Sequence, residues 1–351
     1  MDYSFHLQDP TADSASYLFE ELVAAASKAS HGRALFAFAS KDGVDALLND
    51  PEVVGLLRRG TFEMVVGVDA VTTRSALERL LEASRTYATF RPLVFWNETS
   101  HLFHPKLCFF SGERSATLIV GSGNLTGGGL QSHFEAFVRL AMTRREGRRA
   151  IQPWDDWLVA HQAELREIDE EVLSRADQNS VRRPVIDVEP EGNRRRRRRA
   201  AFGDASVLVA EVPRSGDRWN QVNFDIDTIR TYFRVEPGSA QRVFLDQRLP
   251  GGASAGEEVR PCVDSGRSQN YRIEIAAGKG MPYPVNGRPI LVFVRTAPRV
   301  FRYQLVLPRS DGHAELGAIL SQAGGPPHRV RRIVLSDHQL ASEWPQNAVL
   351  S

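Results

Sequence analysis

Six consecutive arginines, Arg194–Arg199, constrain this chain more than any other feature. A run of like charges cannot enter a core and usually sits in solvent as an arm. The 351 residues must therefore build separate cores on either side of it. The charge divides at the same place: residues 1–193 carry 20 Lys and Arg against 28 Asp and Glu, and residues 194–351 carry 24 against 15. An acidic half joined to a basic half suggests a nucleic-acid partner. The expected organisation is one domain over 1–177, an acidic-to-basic linker over 178–204 and a second domain over 205–351. With 42% hydrophobic and 25% charged residues, the composition excludes a disordered chain, a collagen-like fibre and a disulfide scaffold. Cys108 and Cys262 form no CxxC, so no zinc site is expected. The residues Met1-Asp2-Tyr3-Ser4 show no secretory pattern, and no apolar run reaches about 18 residues. The cytoplasm is the expected compartment, with no membrane contact.

In the first half, helix-like and strand-like segments alternate. Ser14–Ser27, Val44–Leu57 and Thr73–Tyr87 have helical spacing of apolar residues, whereas Ala34–Ala39, Phe62–Val68, Leu93–Trp96, Lys106–Phe110 and Ala116–Val120 are short apolar runs. Strands separated by helices predict an α/β domain whose helices pack on a largely parallel sheet. One long helix is expected over 147–176. From Val207 onward the texture is β-branched and broken by Gly, Pro and Ser, which predicts a β-rich barrel with one or two short helices.

One segment carries chemistry. His104-Pro105-Lys106 is followed, after one more strand, by Gly121-Ser122-Gly123-Asn124 and then Glu135. Residues at i and i+2 on a strand share a face. An imidazole beside an ammonium suits phosphodiester chemistry, the first attacking phosphorus and the second neutralising phosphate charge. The small residues, Ser122 and Gly123 among them, would let backbone approach a phosphate, and Asn124 could donate to it. Glu135 could fix the His104 tautomer by accepting from the far ring nitrogen. His101 and His133 flank the motif without a Lys at i+2 and are expected on the surface or behind the site. The chain has one HxK where the mechanism needs two histidines, which predicts a homodimer sharing one site. No carboxylate cluster accompanies the motif, so no metal or other cofactor is expected.

These residues resemble the HxK…GSxN motif of the phospholipase D superfamily, and the run His104–Leu140 most resembles the restriction-endonuclease branch. That branch pairs such a domain with a C-terminal DNA-binding domain similar to the plant B3 fold, a β-rich pseudobarrel. The resemblance implies His104 as nucleophile, Lys106 as phosphate-binding lysine, Asn124 as the motif asparagine and Glu135 as the histidine-orienting acid. Ser111 stands where the lipid-cleaving branch has an Asp, a departure that favours the endonuclease branch. The B3-like resemblance further implies two arms gripping the major groove of double-stranded DNA. The candidates are Arg214, Arg218, Trp219, Asn220 and Asn223 in the first arm and Arg267, Asn270 and Arg272 in the second, with donors suited to base edges. Arg194–Arg199 would touch phosphates instead.

The expected activity is a sequence-specific, metal-independent DNA endonuclease of restriction or phage-defence type, working through a covalent phosphohistidine. A helicase or methyltransferase partner is compatible with it. The alternatives are a DNA-recognition protein with a vestigial nuclease site and a phospholipid phosphodiesterase. The acidic stretch Glu164–Glu171 is expected as a solvated helix end, with phosphate mimicry over the catalytic cleft as the rarer alternative.

Overall fold

The computed structural model describes residues 1–12, 16–99, 101–179, 206–214, 218–264, 270–323 and 330–350. It separates into two compact units, 1–10 with 15–186 and 11–14 with 187–351.

The first unit is α/β. Its eight strands are β1 (Asp2–Gln8), β2 (His31–Phe36), β3 (Thr61–Gly67), β4 (Phe90–Phe95), β5 (Lys106–Ser111), β6 (Ser115–Gly121), β7 (Glu135–Thr143) and β8 (Leu165–Arg166). They lie in the order β1-β7-β6-β5-β2-β3-β4-β8. Only β2–β3 and β3–β4 pair parallel; the other neighbours are antiparallel. The sheet is therefore mixed, not largely parallel. The link between β5 and β6 is only Gly112, Glu113 and Arg114, far too short for the crossover that a parallel pair requires.

Helix α1 (Leu18–Ser27) packs on β5 and β6, α3 (Pro51–Arg59) on β3 and α4 (Arg74–Thr86) on β4, with α2 (Lys41–Asn49) against α3 and α4, and α5 (Arg144–Ala160) packs on β5, β6 and β7. The core under α5 gathers Leu35, Val65, Leu93, Phe95, Phe109, Met142, Ile151 and Trp154. The period over 44–57 is interrupted by Asp50, whose side chain accepts from Glu52 N–H at 2.9 Å and caps α3, with Pro51 in the first helical position. The helix expected over 147–176 is likewise two. The chain leaves α5 after Ala160, pairs β8 with β4, and restarts as α6 (Glu170–Asp177) with Asp169 as its cap. Glu170 pairs with Arg74 and Glu171 with Arg166. These pairs fasten α6 to α4 and β8.

In the second unit β9 (Val207–Glu211), β10 (Gln221–Asp225), β11 (Arg242–Arg248), β12 (Ser254–Pro261), β13 (Val263–Asp264), β14 (Asn270–Glu274), β15 (Ile290–Ala297), β16 (Val300–Val306) and β17 (Arg332–Leu335) form two sheets. One is β12-β11-β16-β15-β9-β17, the other β10-β14-β13. No closed barrel is made among the described residues, because the hydrogen-bonded ladder stops at β12 in one sheet and at β13 in the other. The sheets instead share a core of Leu208, Leu245, Phe293 and Phe301 with Phe224 and Ile273. Alternate residues Val207, Val209, Val292 and Val294 face α7 (His313–Ser321) and α8 (Asp337–Glu343). No helix among the described residues is long and apolar enough to cross a membrane.

Two of the expected base readers belong to this core. Trp219 is 1% exposed and its indole donates to Met281 O at 2.7 Å. Asn220 is 6% exposed and donates to Ile275 O at 2.9 Å. A large aromatic surface and an amide with a backbone acceptor are both stabilised by leaving water, so neither residue reaches a base. Trp219→Ala should destabilise the second unit by about 3–5 kcal/mol. Chemical denaturation followed by far-UV circular dichroism measures this, and an unchanged midpoint would contradict the assignment.

Candidate active site

The candidate site forms where β2 and β6 end and β5 and β7 begin. Register places Lys106 opposite Phe36 and Gly121 opposite Phe137. Beyond β2 the chain runs on to meet the segment after β6: Leu125 N–H donates to Phe38 O at 3.1 Å, Ser40 N–H to Leu125 O at 2.9 Å, and Ala39 bridges Leu125. His104 precedes β5 and is not itself a strand residue, yet it still meets Lys106. The ammonium lies 2.9 Å from Nδ1 and 3.1 Å from Nε2 of the ring, and donates to the His104 carbonyl at 3.1 Å. Phe38 meets the same imidazole edge-on, with centroids 5.5 Å apart.

Asn124 is also set by Phe38. Its Oδ1 accepts the Phe38 N–H at 3.2 Å, which orients the amide so that Nδ2 is left without a protein acceptor among the described residues. Such a donor suits an anionic oxygen. Ser122 is exposed and its hydroxyl donates to Glu135 while accepting from Ala136 N–H at 3.1 Å. The expected His104–Glu135 hydrogen bond is thus not formed. Glu135 has taken the Ser122 hydroxyl and acts on Lys106 through its charge.

Gly123 has a different reason from the one expected. A Cβ there would lie 2.6 Å from Gly129 O and 2.6 Å from Leu18 Cδ2. Protein packing alone is enough to require a glycine here. His101 and His133 are both exposed.

Partial burial and then the Lys106 charge lower the His104 pKa from its ordinary value. Burial also lowers that of Lys106, against the pull of Glu135. The His104 shift favours a neutral imidazole with an available lone pair, the form a nucleophile needs, and the Glu135 charge helps keep Lys106 protonated beside it.

Several supporting residues escaped the sequence pattern. Arg175 of α6 donates to Asp69 Oδ1 at 2.8 Å and to Asn97 O at 2.8 Å. Burial pushes the Asp69 carboxyl up, opposed by Arg175, the Asn97 side chain and the Phe103 N–H. The guanidinium groups of Arg166 and Arg175 both lie over the Trp96 ring, 4.3 and 4.4 Å from its centroid. Asn97 donates to His101 O and accepts from Thr99 N–H at 2.9 Å. The chain leading into His104 is therefore held from α6 and from the end of β3. Beside it a cavity of about 1150 Å³ runs between sheet and α5, lined by Leu35, Phe95, Phe103, Trp154, Trp157 and His104.

In the second unit Arg214 and Arg218 are exposed. Asn223 lies opposite Arg272 on paired strands; its carbonyl accepts from Arg332, while Arg272 donates to Gln221 at 3.3 Å. Asn270 opens β14 and is half-buried. Arg267 and Arg194–Arg199 lie outside the described residues.

No protein-family model and no curated protein matches the chain. Among solved structures it is similar to a phospholipase D family member, Nuc, from Salmonella typhimurium, at 12% identity and TM-score 0.35, over 48% of this chain and 99% of that one. NucT from Helicobacter pylori gives 8% identity and TM-score 0.35 over the same shares. Yeast tyrosyl-DNA phosphodiesterase gives 10% identity and TM-score 0.30, over 49% of this chain and 43% of that one. Likenesses this slight carry no weight for the chemistry, which stands on the side chains above.

The shift at His104 is directly measurable. In a 1H–13C NMR titration its ring should titrate below the ordinary 6.5. Lys106→Met should raise the value only partway, because burial is the larger cause. A wild-type ring titrating at or above 6.5 would contradict this geometry.

Proposed function

We propose that the chain is a phosphodiester hydrolase acting on double-stranded DNA, a sequence-specific endonuclease of restriction or phage-defence type that needs no metal. The observation that carries this reading is the 2.9 Å approach of the Lys106 ammonium to the His104 ring, with Asn124 Nδ2 free at the same end of the sheet. His104 attacks phosphorus, forming an N–P bond as the P–O bond to the leaving strand breaks. Lys106 and Asn124 offset the equatorial charge that develops. Water then cleaves the N–P bond and frees the imidazole.

The leaving oxygen needs a proton, and a second His104 from another copy of the chain would give it. An uncovered apolar face supports such a homodimer. Phe5 stands opposite Val138 and Val138 opposite Val120, so their side chains share one face of the sheet. Tyr3 and Leu7 are on that face too, and with Phe5 and Val120 they are 75%, 66%, 62% and 43% exposed. Val120 also lines the cavity beside His104. Arg214 and Arg218 remain candidates for base contact in the second unit, with Asn223, Asn270, Arg272 and Arg267; Trp219 and Asn220 do not.

A phospholipid phosphodiesterase is the second reading, and the apolar cavity at His104 favours it, since acyl chains would fit such walls. Plasmid DNA and phosphatidylglycerol vesicles, each incubated with the protein in excess EDTA, separate the two. The proposed activity requires cleavage of the plasmid and not of the lipid, with the same rate when magnesium replaces the chelator. His104→Ala should abolish cutting. Loss of general-acid assistance alone would cost roughly 10²–10⁴ in rate, so residual activity at that level would reassign the residue. Sedimentation should give a dimer, and a fully active monomer would overturn the shared site.

A further inference from the structure

The start of α5 carries a second basic feature, far from the candidate site. Arg144, Arg145, Arg148 and Arg149 all fall on the first stretch of the helix. At about 100° per residue they occupy roughly 140° of its circumference. The buried side of α5 is Gly147, Ile151 and Trp154, so the arginines face away from the core. All four are exposed, and none makes a side-chain hydrogen bond or ion pair among the described residues. Arg114, also exposed, joins them through its backbone, whose carbonyl accepts from Arg144 N–H at 3.0 Å.

Three other arginines of this unit are fastened to acids. Arg79 pairs with Asp45 at 2.6 Å, Arg139 with Glu21 at 3.3 Å and Arg175 with Asp69 at 2.8 Å. The acid inside the cluster, Glu146, is occupied: it completes the capping box with Thr143 and pairs with the Met1 ammonium at 3.0 Å. Of the acids in the turn that carries Arg114, only Glu113 stands beside the group. Like charges at i and i+4, here Arg144 with Arg148 and Arg145 with Arg149, repel, and cations at a helix N-terminus oppose its dipole. Five unpartnered guanidinium groups in a unit whose overall balance is acidic form a local field for a polyanion.

We infer that this face binds the phosphate backbone of duplex DNA at a distance from the scissile bond. The inference rests on the proposed DNA reading and extends it. The face sits at the Thr143 end of β7 and the candidate site at the Glu135 end. At about 3.4 Å per residue the two are roughly 25 Å apart, which spans about seven base pairs of a strand whose phosphates repeat every ~3.4 Å. The catalytic unit would then hold its substrate at two points, one for chemistry and one for charge.

The test is the salt dependence of binding to a 40-base-pair duplex, read by fluorescence anisotropy on the full-length chain. The quadruple variant R144Q/R145Q/R148Q/R149Q should flatten the log–log slope by about 0.9 for each phosphate left without its arginine, so by roughly 2 to 4 in all. The corresponding Lys variant should keep most of the wild-type slope, because charge and not geometry is at stake. If the quadruple variant fails to fold, R144Q/R148Q and R145Q/R149Q should each show about half of the change. An unchanged slope in folded Gln variants overturns the inference, as does equal flattening by the Lys variant. Tighter retention of phosphatidylglycerol vesicles than of the duplex also overturns it, in favour of a lipid surface. Wild-type cleavage measured in parallel separates the two failures. DNA cut normally with unchanged variant slopes removes only this face, whereas a wild-type chain that neither cuts nor binds DNA removes both.

Discussion

The candidate site depends on a backbone ladder between two loops. The segment after β2 hydrogen-bonds to the segment after β6 through Phe38, Ser40 and Leu125. The two halves of the motif lie at the start of β5, with His104 just before it, and after β6, and hairpin pairing alone would fix only the strands. Without the ladder, the loop carrying Asn124 would have nothing to hold its amide. With it, Phe38 N–H fixes the Asn124 side chain while the Phe38 ring bounds the imidazole of His104. Backbone bonds of this kind are directional and costly to leave unmade when buried, so they place side chains more firmly than surface contacts could.

The motif residues are legible in the sequence because their chemistry is written in residue type and spacing. Lys106 meets the His104 ring, and Phe38 meets both that ring and the Asn124 amide. Their supports are not legible. Phe38, Asp69 and Arg175 come from distant parts of the chain, and nothing in a local window marks a phenylalanine as the wall of an imidazole. Glu135 shows the limit of reading a role from position. Its neighbour across the start of the hairpin, Ser122, offers a hydroxyl closer than the ring does. The Glu135 charge is thereby kept near Lys106, where it opposes the loss of the ammonium's proton.

Strand direction is written in the sequence at one point, against the pattern around it. A three-residue link between apolar runs admits only an antiparallel pair, yet alternation with helices earlier in the chain suggests a parallel sheet throughout. Asp50-Pro51 likewise carries a cap-and-proline signal inside an otherwise continuous helical period. In the second unit the local pattern misleads in the other direction. Trp219 and Asn220 sit in a polar, arginine-flanked stretch that looks like a reading loop, but the chain re-enters the core immediately after Arg218. A tryptophan has too much apolar surface to be left in water when a core is available, whereas Arg214 and Arg218 keep theirs outside.

The electrostatics of the proposed dimer pose a problem that substrate must solve. Two copies of one histidine would have to play opposite parts, one neutral to attack and one protonated to release the leaving oxygen. In the free chain both rings are biased toward neutrality by partial burial and by Lys106. An arriving phosphodiester carries negative charge into the same space and stabilises an imidazolium beside it. Its charge also offsets the repulsion between each ring and its lysine. In such a dimer the two rings would titrate as a coupled pair. Asymmetry would therefore come from the scissile phosphate itself, which lies closer in line with one ring than the other. A site built this way stays in its attacking form while empty and acquires its acid only when there is a bond to break.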